Sequence, residues 1–352
     1  MKILMIYPDY KEKPVTGGQM YNHHFVDRLI SNGQHVDIIT DEVSCKQKYF
    51  YGFAYLKKFF AAKKYDVVLA DSRMFPRLLL LFLFLKIFSK TKLILIHHHF
   101  NFWEQRSFVK KTMHKFLELL FLKTAYGVVI PSPFIKQEIT KLLPKKKIFY
   151  VELAVRKSTR YSNEQAKTNN INLLYVGTIE QRKGLKYLIS ALDLLNKKNI
   201  KFHCDIVGKI VENDYYLELK RSIEAFDLQD KINFCGRLSP EDLTKYYNNA
   251  VCFVFPSLLE GYGMVILEAM SYGLPVAAFN NSAMPFTIKN GINGLLAENK
   301  NYEEFAKNIS TIMTDISLRN TLSQGALNSC LYFRTLDDVD KDIDLLCQSN
   351  FN

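Results

Sequence analysis

The sequence predicts an α/β protein of two successive domains, each a parallel sheet covered by helices on both faces. Three observations predict it. The chain has 352 residues, too many for one ordinary core and suited to two domains of about 150–200 residues each. Apolar strand-like runs alternate with helix-like runs, and the alternation occurs twice. Between the two series lies RKSTRYSNEQAKTNN at 156–170, a segment almost without apolar residues, which reads as the interdomain linker.

The elements follow in order. MKILMIYP opens as a strand, and TGGQMYNHHFVDRLISNG sets Met20, Phe25, Leu29 and Ile30 at helical spacing before Gly33 stops it. QHVDIIT, YDVVLADS (65–72), KLILIHHHF (92–100) and YGVVIPS (126–132) are strands, and PFIKQEITKLL is a helix. The apolar run Leu78–Leu85 predicts a buried helix. It falls short of the 18 or more apolar residues that a membrane span needs, and a segment dipping into one leaflet is the alternative. Past the linker the pattern restarts. INLLYVGT (171–178), KFHCDIVG (201–208), KINFCG (231–236), VCFVFPS (251–257) and PVAAF (275–279) are strands. GLKYLISALDLLNKK (184–198), YYLELKRSIEAFDL and PEDLTKYYNNA (240–250) are helices, and the tail after about Asp337 is helical and acidic at first. Such a duplicated design places a cleft between two sheets, where ligands of these folds bind.

Composition excludes several classes. Gly 15 and Pro 10 are too few for a disordered chain. None of the six cysteines forms a C-x-x-C pair, which argues against a zinc ribbon or a dithiol centre, and Cys204 and Cys252 read as buried strand residues. The apolar start, broken by Pro8, is too short for a signal-peptide core and predicts a cytoplasmic protein. Net charge is +12, and residues 101–150 hold ten basic and three acidic residues, a surplus suited to a polyanion or an anionic membrane. Within that region, 106–123 sets Phe108, Val109, Met113, Phe116, Leu117 and Leu120 against Arg106, Lys110, Lys111 and Lys115. That pattern fits a helix lying on a membrane and equally an ordinary domain helix with a solvated basic face.

The densest chemistry lies in FPSLLEGYGMVILEAMSYGLPVAAF at 255–279. A strand ends, a loop carries Glu260 and two glycines, and a short helix follows. Gly261 and Gly263 let backbone approach a ligand, and the helix start offers free N–H groups suited to phosphate. Glu268, among Ile266, Leu267 and Ala269, is costly to bury unless something donates to it, and sugar hydroxyls are good donors. A second segment, YVGTIEQRKGLKYLI (175–189), puts Arg182 and Lys183 where a helix opens, two cations suited to a diphosphate.

Pro256, Ser257, Glu260, Gly261, Tyr262, Gly263, Leu267, Glu268, Ala269, Met270, Gly273, Pro275 and Val276 together resemble the nucleotide-sugar motif of retaining glycosyltransferases of the GT-B fold, glycosyltransferase family 4. The resemblance implies two Rossmann-like domains facing each other across a cleft, with the C-terminal helix crossing back to the N-terminal domain. It implies an acceptor-binding domain at 1–157, a linker at 158–170, a nucleotide-sugar-binding domain at 171–335 and a returning helix at 336–352. By the same resemblance Glu260 contacts the donor sugar, Glu268 holds the ribose, and Arg182 and Lys183 hold the diphosphate, with Gly261, Tyr262, Gly263 and Met264 around them. Gly17 and Gly18 resemble the family's N-terminal glycine pair. Of His97, His98 and His99, His98 is favoured to line the site near the transferred sugar, with His97 second. The expected reaction is sugar transfer from a nucleotide diphosphate sugar to an acceptor hydroxyl, with retention and without cofactor or metal, in cell-surface or lipid-linked glycan synthesis. The expected partners are the donor, a saccharide or lipid-linked acceptor and an anionic membrane surface through 101–150, with no nucleic acid. The expected location is cytoplasmic, peripheral on the inner face of the membrane.

Three departures from the family pattern stand out. Thr178 replaces the arginine common after the first glycine, Pro285-Phe286 replaces a Pro-Glu pair, and Leu153-Ala154-Val155 replaces Asn-Gly-Val-Asp. The turn Gly291–Leu296 is intact. A GT-B epimerase or phosphorylase, a nucleic-acid binder and an inactive partner subunit are the rival readings.

Overall fold

The computed structural model describes residues 1–7, 10, 14, 17–40, 65–75, 77–105, 107–154 and 171–351. The predicted linker at 158–170 and Arg106 lie outside the described residues. The chain divides into two units, Met1–Ala154 with Leu336–Asn352, and Val155–Thr335.

The first unit is one parallel sheet of β1 (Lys2–Ile6), β2 (His35–Ile39), β3 (Val67–Asp71), β4 (Lys92–Ile96), β5 (Gly127–Ile130) and β6 (Lys147–Tyr150). Their order in space is β2-β1-β3-β4-β5-β6. The helices are α1 (Gly17–Ser31), α2 (Leu79–Phe88), α3 (Phe108–Thr124) and α4 (Pro133–Leu142). Burial of β3 and β5 at every position explains why they read as continuous apolar runs and not as alternating ones. One core cluster joins the strands to Phe82 of α2 and to Phe121 and Leu122 of α3. Each such fully buried aromatic or leucine contributes about 1.5–3 kcal/mol.

The second unit repeats the plan with β7 (Asn172–Val176), β8 (His203–Val207), β9 (Ile232–Gly236), β10 (Cys252–Phe255), β11 (Val276–Phe279) and β12 (Gly294–Ala297), in the order β12-β11-β10-β7-β8-β9. Its helices are α5 (Leu185–Lys197), α6 (Asn213–Ala225), α7 (Pro240–Asn249), α8 (Met264–Ser271), α9 (Met284–Thr287), α10 (Tyr302–Thr314) and α11 (Ile316–Cys330). Ser-Pro pairs start two helices by one mechanism. Ser132 accepts from Ile135 N–H ahead of α4, Ser239 accepts from Asp242 N–H ahead of α7, and the following proline needs no donor. The final helix, α12 (Leu336–Gln348), belongs to the first unit, where it packs on α1.

Two expectations need correction. The segment 291–296, read as a turn, runs into β12, because Gly294–Ala297 pair in register with Val276–Phe279. A Cβ at Gly294 would lie 2.4 Å from the Val276 carbonyl oxygen, so the pairing itself requires the glycine. The apolar run 78–85, read as buried, forms a helix with one buried face only. Leu79, Leu81, Phe82 and Leu85 face the core, while Leu80, Ile87 and Phe88 are exposed.

Strand order reverses between β1 and β3 in the first sheet and between β7 and β10 in the second. In open parallel sheets the carboxyl ends of the strands beside such a reversal form the ligand crevice. The residues singled out in the sequence lie at these two places.

Candidate active site

In the second unit, the loop after β7 and the loop after β10 lock together. Leu258 N–H donates to the Arg182 carbonyl at 2.9 Å, and Arg182 Nη1 donates to the Leu259 carbonyl at 2.8 Å. Gly184, at φ +69°, lets the first loop pass beneath the second, and a Cβ there would lie 2.1 Å from the Pro256 carbonyl oxygen. The contact brings Lys183 to Glu260, which lie 77 positions apart: Nζ donates to Oε1 at 2.5 Å. Ser257 Oγ donates to the same oxygen at 2.7 Å, and Arg182 Nη1 lies 3.6 Å from it. Arg182 Nη2 also donates to Glu180 at 2.8 Å, and so does the Thr178 hydroxyl. Two cations and two carboxylates therefore sit in one cluster at the sheet's reversal. Burial pushes the Glu260 carboxyl up, but the Lys183 and Arg182 charges and the Lys183 and Ser257 hydrogen bonds outweigh it and hold the group below its ordinary value.

Gly263, at φ +86°, caps the start of α8, and a Cβ there would lie 2.9 Å from Met284 Cε. Gly261, Tyr262 and Met264 are half-buried around it. Glu268 is half-buried on α8 and neighbours Tyr247, a fully buried residue of α7 stacked on Tyr272 at 4.8 Å. Burial and the Glu268 charge hold the Tyr247 phenol well above its ordinary value. The sequence reading missed Tyr247, since α7 showed only an amphipathic helix.

In the first unit, the ends of β3 and β4 meet the start of α1. A Cβ at Gly18 would touch the His98 ring at 3.7 Å, and Tyr21 stands edge-on to that ring at 5.4 Å between centroids. Gly17 precedes Gly18 in the first turn of α1. His98 Nε2 lies 2.9 Å from Asn22 Oδ1, and Asn22 Nδ2 donates to Asp71 Oδ2 at 2.6 Å. Asp71 also accepts from Arg73 N–H and Nε, at 2.8 and 2.9 Å. Burial raises the Asp71 carboxyl, but the Arg73 charge and the Arg73 hydrogen bonds outweigh it and hold the group below the ordinary range.

An ionised carboxylate only accepts, so the Asn22 amide must turn its NH2 to Asp71 and its oxygen to His98. His98 then carries its proton on Nε2 and leaves Nδ1 as an acceptor. Burial, partly opposed by Asp71, pushes its pKa down to about 4. His97 is fully buried, with Nδ1 2.8 Å from Ser72 Oγ and its ring against Phe100. Burial pushes its pKa down to about 3, which makes it a neutral core residue. His99 pairs with Glu104 at 3.2 Å. The sequence reading missed Asn22 and Asp71. Asn22 lies one helical turn past Gly18 and Asp71 ends a strand, and those are the only signals that mark them. Among the described residues no group of three or more His, Cys, Asp and Glu side chains is placed to hold a metal ion.

Residues 157–329, which contain both interlocked loops, match the family model of glycosyl transferases group 1. That match spans nearly the whole of the second unit. Across the whole chain the fold is that of GT-B glycosyltransferases. Sucrose-phosphate synthase of Thermosynechococcus elongatus superposes with a TM-score of 0.82 over 99% of both chains at 18% identity. HepE of Anabaena, solved with UDP and glucose, superposes with a TM-score of 0.76 over 99% of this chain and 100% of its own, also at 18% identity. Among curated relatives, an uncharacterized glycosyltransferase of Haemophilus influenzae is 34% identical over 44% of this chain and 43% of its own length. O-antigen chain mannosyltransferase B of Escherichia coli is 32% identical over 46% and 41%. The match thus spans less than half the length of these curated relatives, in a region the size of the glycosyl transferases group 1 domain.

Proposed function

We propose that this chain is a glycosyltransferase that moves a sugar from a nucleotide diphosphate sugar to an acceptor hydroxyl, with retention of configuration and without a bound metal. The observation that carries the reading is the meeting of Arg182, Lys183 and Glu260 at the β7/β10 reversal. The diphosphate takes up the N–H donors of Arg182, Lys183 and the amide end of α8 at Gly261–Met264. Glu260, relieved of Lys183, then accepts from hydroxyls of the donor sugar, and Glu268 accepts from the ribose. In the reaction the bond from the anomeric carbon to the diphosphate oxygen breaks, and a bond to the acceptor oxygen forms on the same face. The acceptor proton passes to the leaving phosphate, so no separate base is needed. Cations at the diphosphate stabilise the charge that develops there. We assign acceptor binding to the first unit, with Gly17 and Gly18 approaching the diphosphate and the acceptor and the Nδ1 acceptor of His98 near the transferred sugar.

The solved HepE complex with UDP and glucose supports the donor class, and the O-antigen mannosyltransferase supports synthesis of cell-surface or lipid-linked glycans. The same reading includes work in the cytoplasm at the inner face of a membrane, which the basic surplus in 101–150 supports.

A thermal-shift panel of UDP-, GDP- and ADP-sugars tests it. A ligand of the native state raises the melting temperature in proportion to its affinity. We expect one base class to shift the wild type and Lys183→Ala to lose the shift. Lys183→Gln, which keeps a donor to Glu260 but no cation, is expected to fold as well as the wild type and to lose the shift too. No shift with any donor at millimolar concentration overturns the reading in favour of an inactive partner subunit.

A further inference from the structure

Tyr247 is the buried residue of α7, with none of its surface exposed. Its ring lies flat on that of Tyr272, with 4.8 Å between centroids and 11° between planes. It also tilts against Phe253 of β10 at 6.2 Å. Tyr272 is held in turn, its hydroxyl 3.1 Å from Thr244 Oγ1. These contacts fix the Tyr247 ring, and a phenylalanine would make all of them. Only the hydroxyl distinguishes tyrosine here, and it makes no hydrogen bond of ordinary length and angle. A buried hydroxyl without a partner is destabilising, so its presence points to a role outside the core.

Glu268 supplies that role. Tyr272 ends α8 and follows Glu268 by one helical turn, so the two side chains are neighbours on one face. The ring stacked on Tyr272 thus lies beside the Glu268 carboxylate, whose charge is felt at the phenol. Glu268 is half-buried on a flexible side chain, whereas the Tyr247 ring cannot turn without leaving Tyr272. The carboxylate is the partner that moves.

We propose that Tyr247 is a positioning residue for the nucleotide, its hydroxyl donating to one oxygen of Glu268 and leaving the other aimed at the ribose hydroxyls. An ionised carboxylate only accepts, so a donor behind it leaves the second oxygen for donors in front. Burial and the Glu268 charge hold the phenol well above its ordinary value, so it keeps its proton at neutral pH and stays a donor. The inference rests on the reading of Glu268 as the ribose acceptor. It adds the residue by which the site would prefer ribonucleotides over nucleotides without ribose hydroxyls.

Isothermal titration calorimetry of the full chain with UDP, GDP and ADP, each beside its 2′,3′-dideoxy counterpart, tests it. The base that binds the wild type is the one compared. We expect the wild type to prefer the ribose form by at least about tenfold, the size of a charge-assisted hydrogen bond. Tyr247→Phe should lose most of that preference by weakening the ribose form alone. It should keep the wild-type melting temperature measured without nucleotide, since a ring of the same shape remains. Glu268→Gln should lose the preference too, and adding Tyr247→Phe to it should change nothing further. A role confined to the core would weaken both forms alike or lower the melting temperature, and either result overturns the proposal. An unchanged preference in Tyr247→Phe, lost in Glu268→Gln, overturns it and leaves the ribose reading standing. No binding or no preference in the wild type, or a preference that Glu268→Gln keeps, overturns the ribose reading and the inference with it.

Discussion

The tautomer of His98 is set by two residues behind it. Asp71 fixes the Asn22 amide, and Asn22 fixes the tautomer of His98. Both His97 and His98 fold in the neutral state, with pKa values pushed down from 6.5 to about 3 and about 4. In the window between those values and 6.5 the unfolded chain binds more protons than the folded one, so stability rises with pH there. It is fully present above about pH 6.5 and falls as pH drops toward 4. At about 1.4 kcal/mol per pKa unit, His98 alone contributes on the order of 3 kcal/mol. Urea unfolding from pH 7.5 to pH 4.5 should show the decline, and His98→Gln should flatten it. An unchanged slope in the variant would show that His98 does not fold neutral. The glutamates and cations of the second unit were legible in the sequence because their motif is local. The Asn22–Asp71 contact spans 49 positions and has no local signature.

Among the elements, the loops that end at Gly184 and Gly263 set the geometry of the cluster. Gly184→Ala forces a Cβ into the Pro256 carbonyl and a side chain into a left-handed conformation. We expect a loss of more than about 2 kcal/mol in unfolding free energy. The donor-induced thermal shift should be lost with it, because the loop that seats Lys183 must move. A variant that binds donor as the wild type does would show that the two loops do not depend on each other. Periodicity placed most of the helices and strands, but it left β6, β12 and the helices α9 to α11 unread. Periodicity also announced α3 as amphipathic, but it could not say which face met the sheet. That choice was made by Phe121 and Leu122, which fit the core formed with Phe82, and it left Phe108 and Phe116 outside. The same limit explains α2, whose apolar run exceeds what one face can bury.

For the whole molecule, the returning helix α12 completes the first unit. Val339, Ile343 and Cys347 are buried, and Phe351 packs edge-on to Phe149 at 5.7 Å. Arg28 Nε and Asn32 Nδ2 hold Asp344 at 2.7 and 2.9 Å. Truncation after Thr335 should lower the first unit's unfolding temperature and leave the second unit's largely intact, visible as two separated calorimetric transitions. Arg28→Ala should cost far less than the truncation, because the pair is partly exposed and screened. A truncated chain that melts as the full chain does would refute the structural role of α12. The sequence by itself determined the two α/β units, the order of most elements along the chain and the motif around Glu260 and Glu268, since periodicity and motif spacing are local properties. Only the tertiary structure decided that Lys183 meets Glu260, that Asp71 governs His98 through Asn22, and that α3 turns its apolar stripe outward. Those contacts join segments far apart in the chain, and packing density in the two cores settles them where local preference does not.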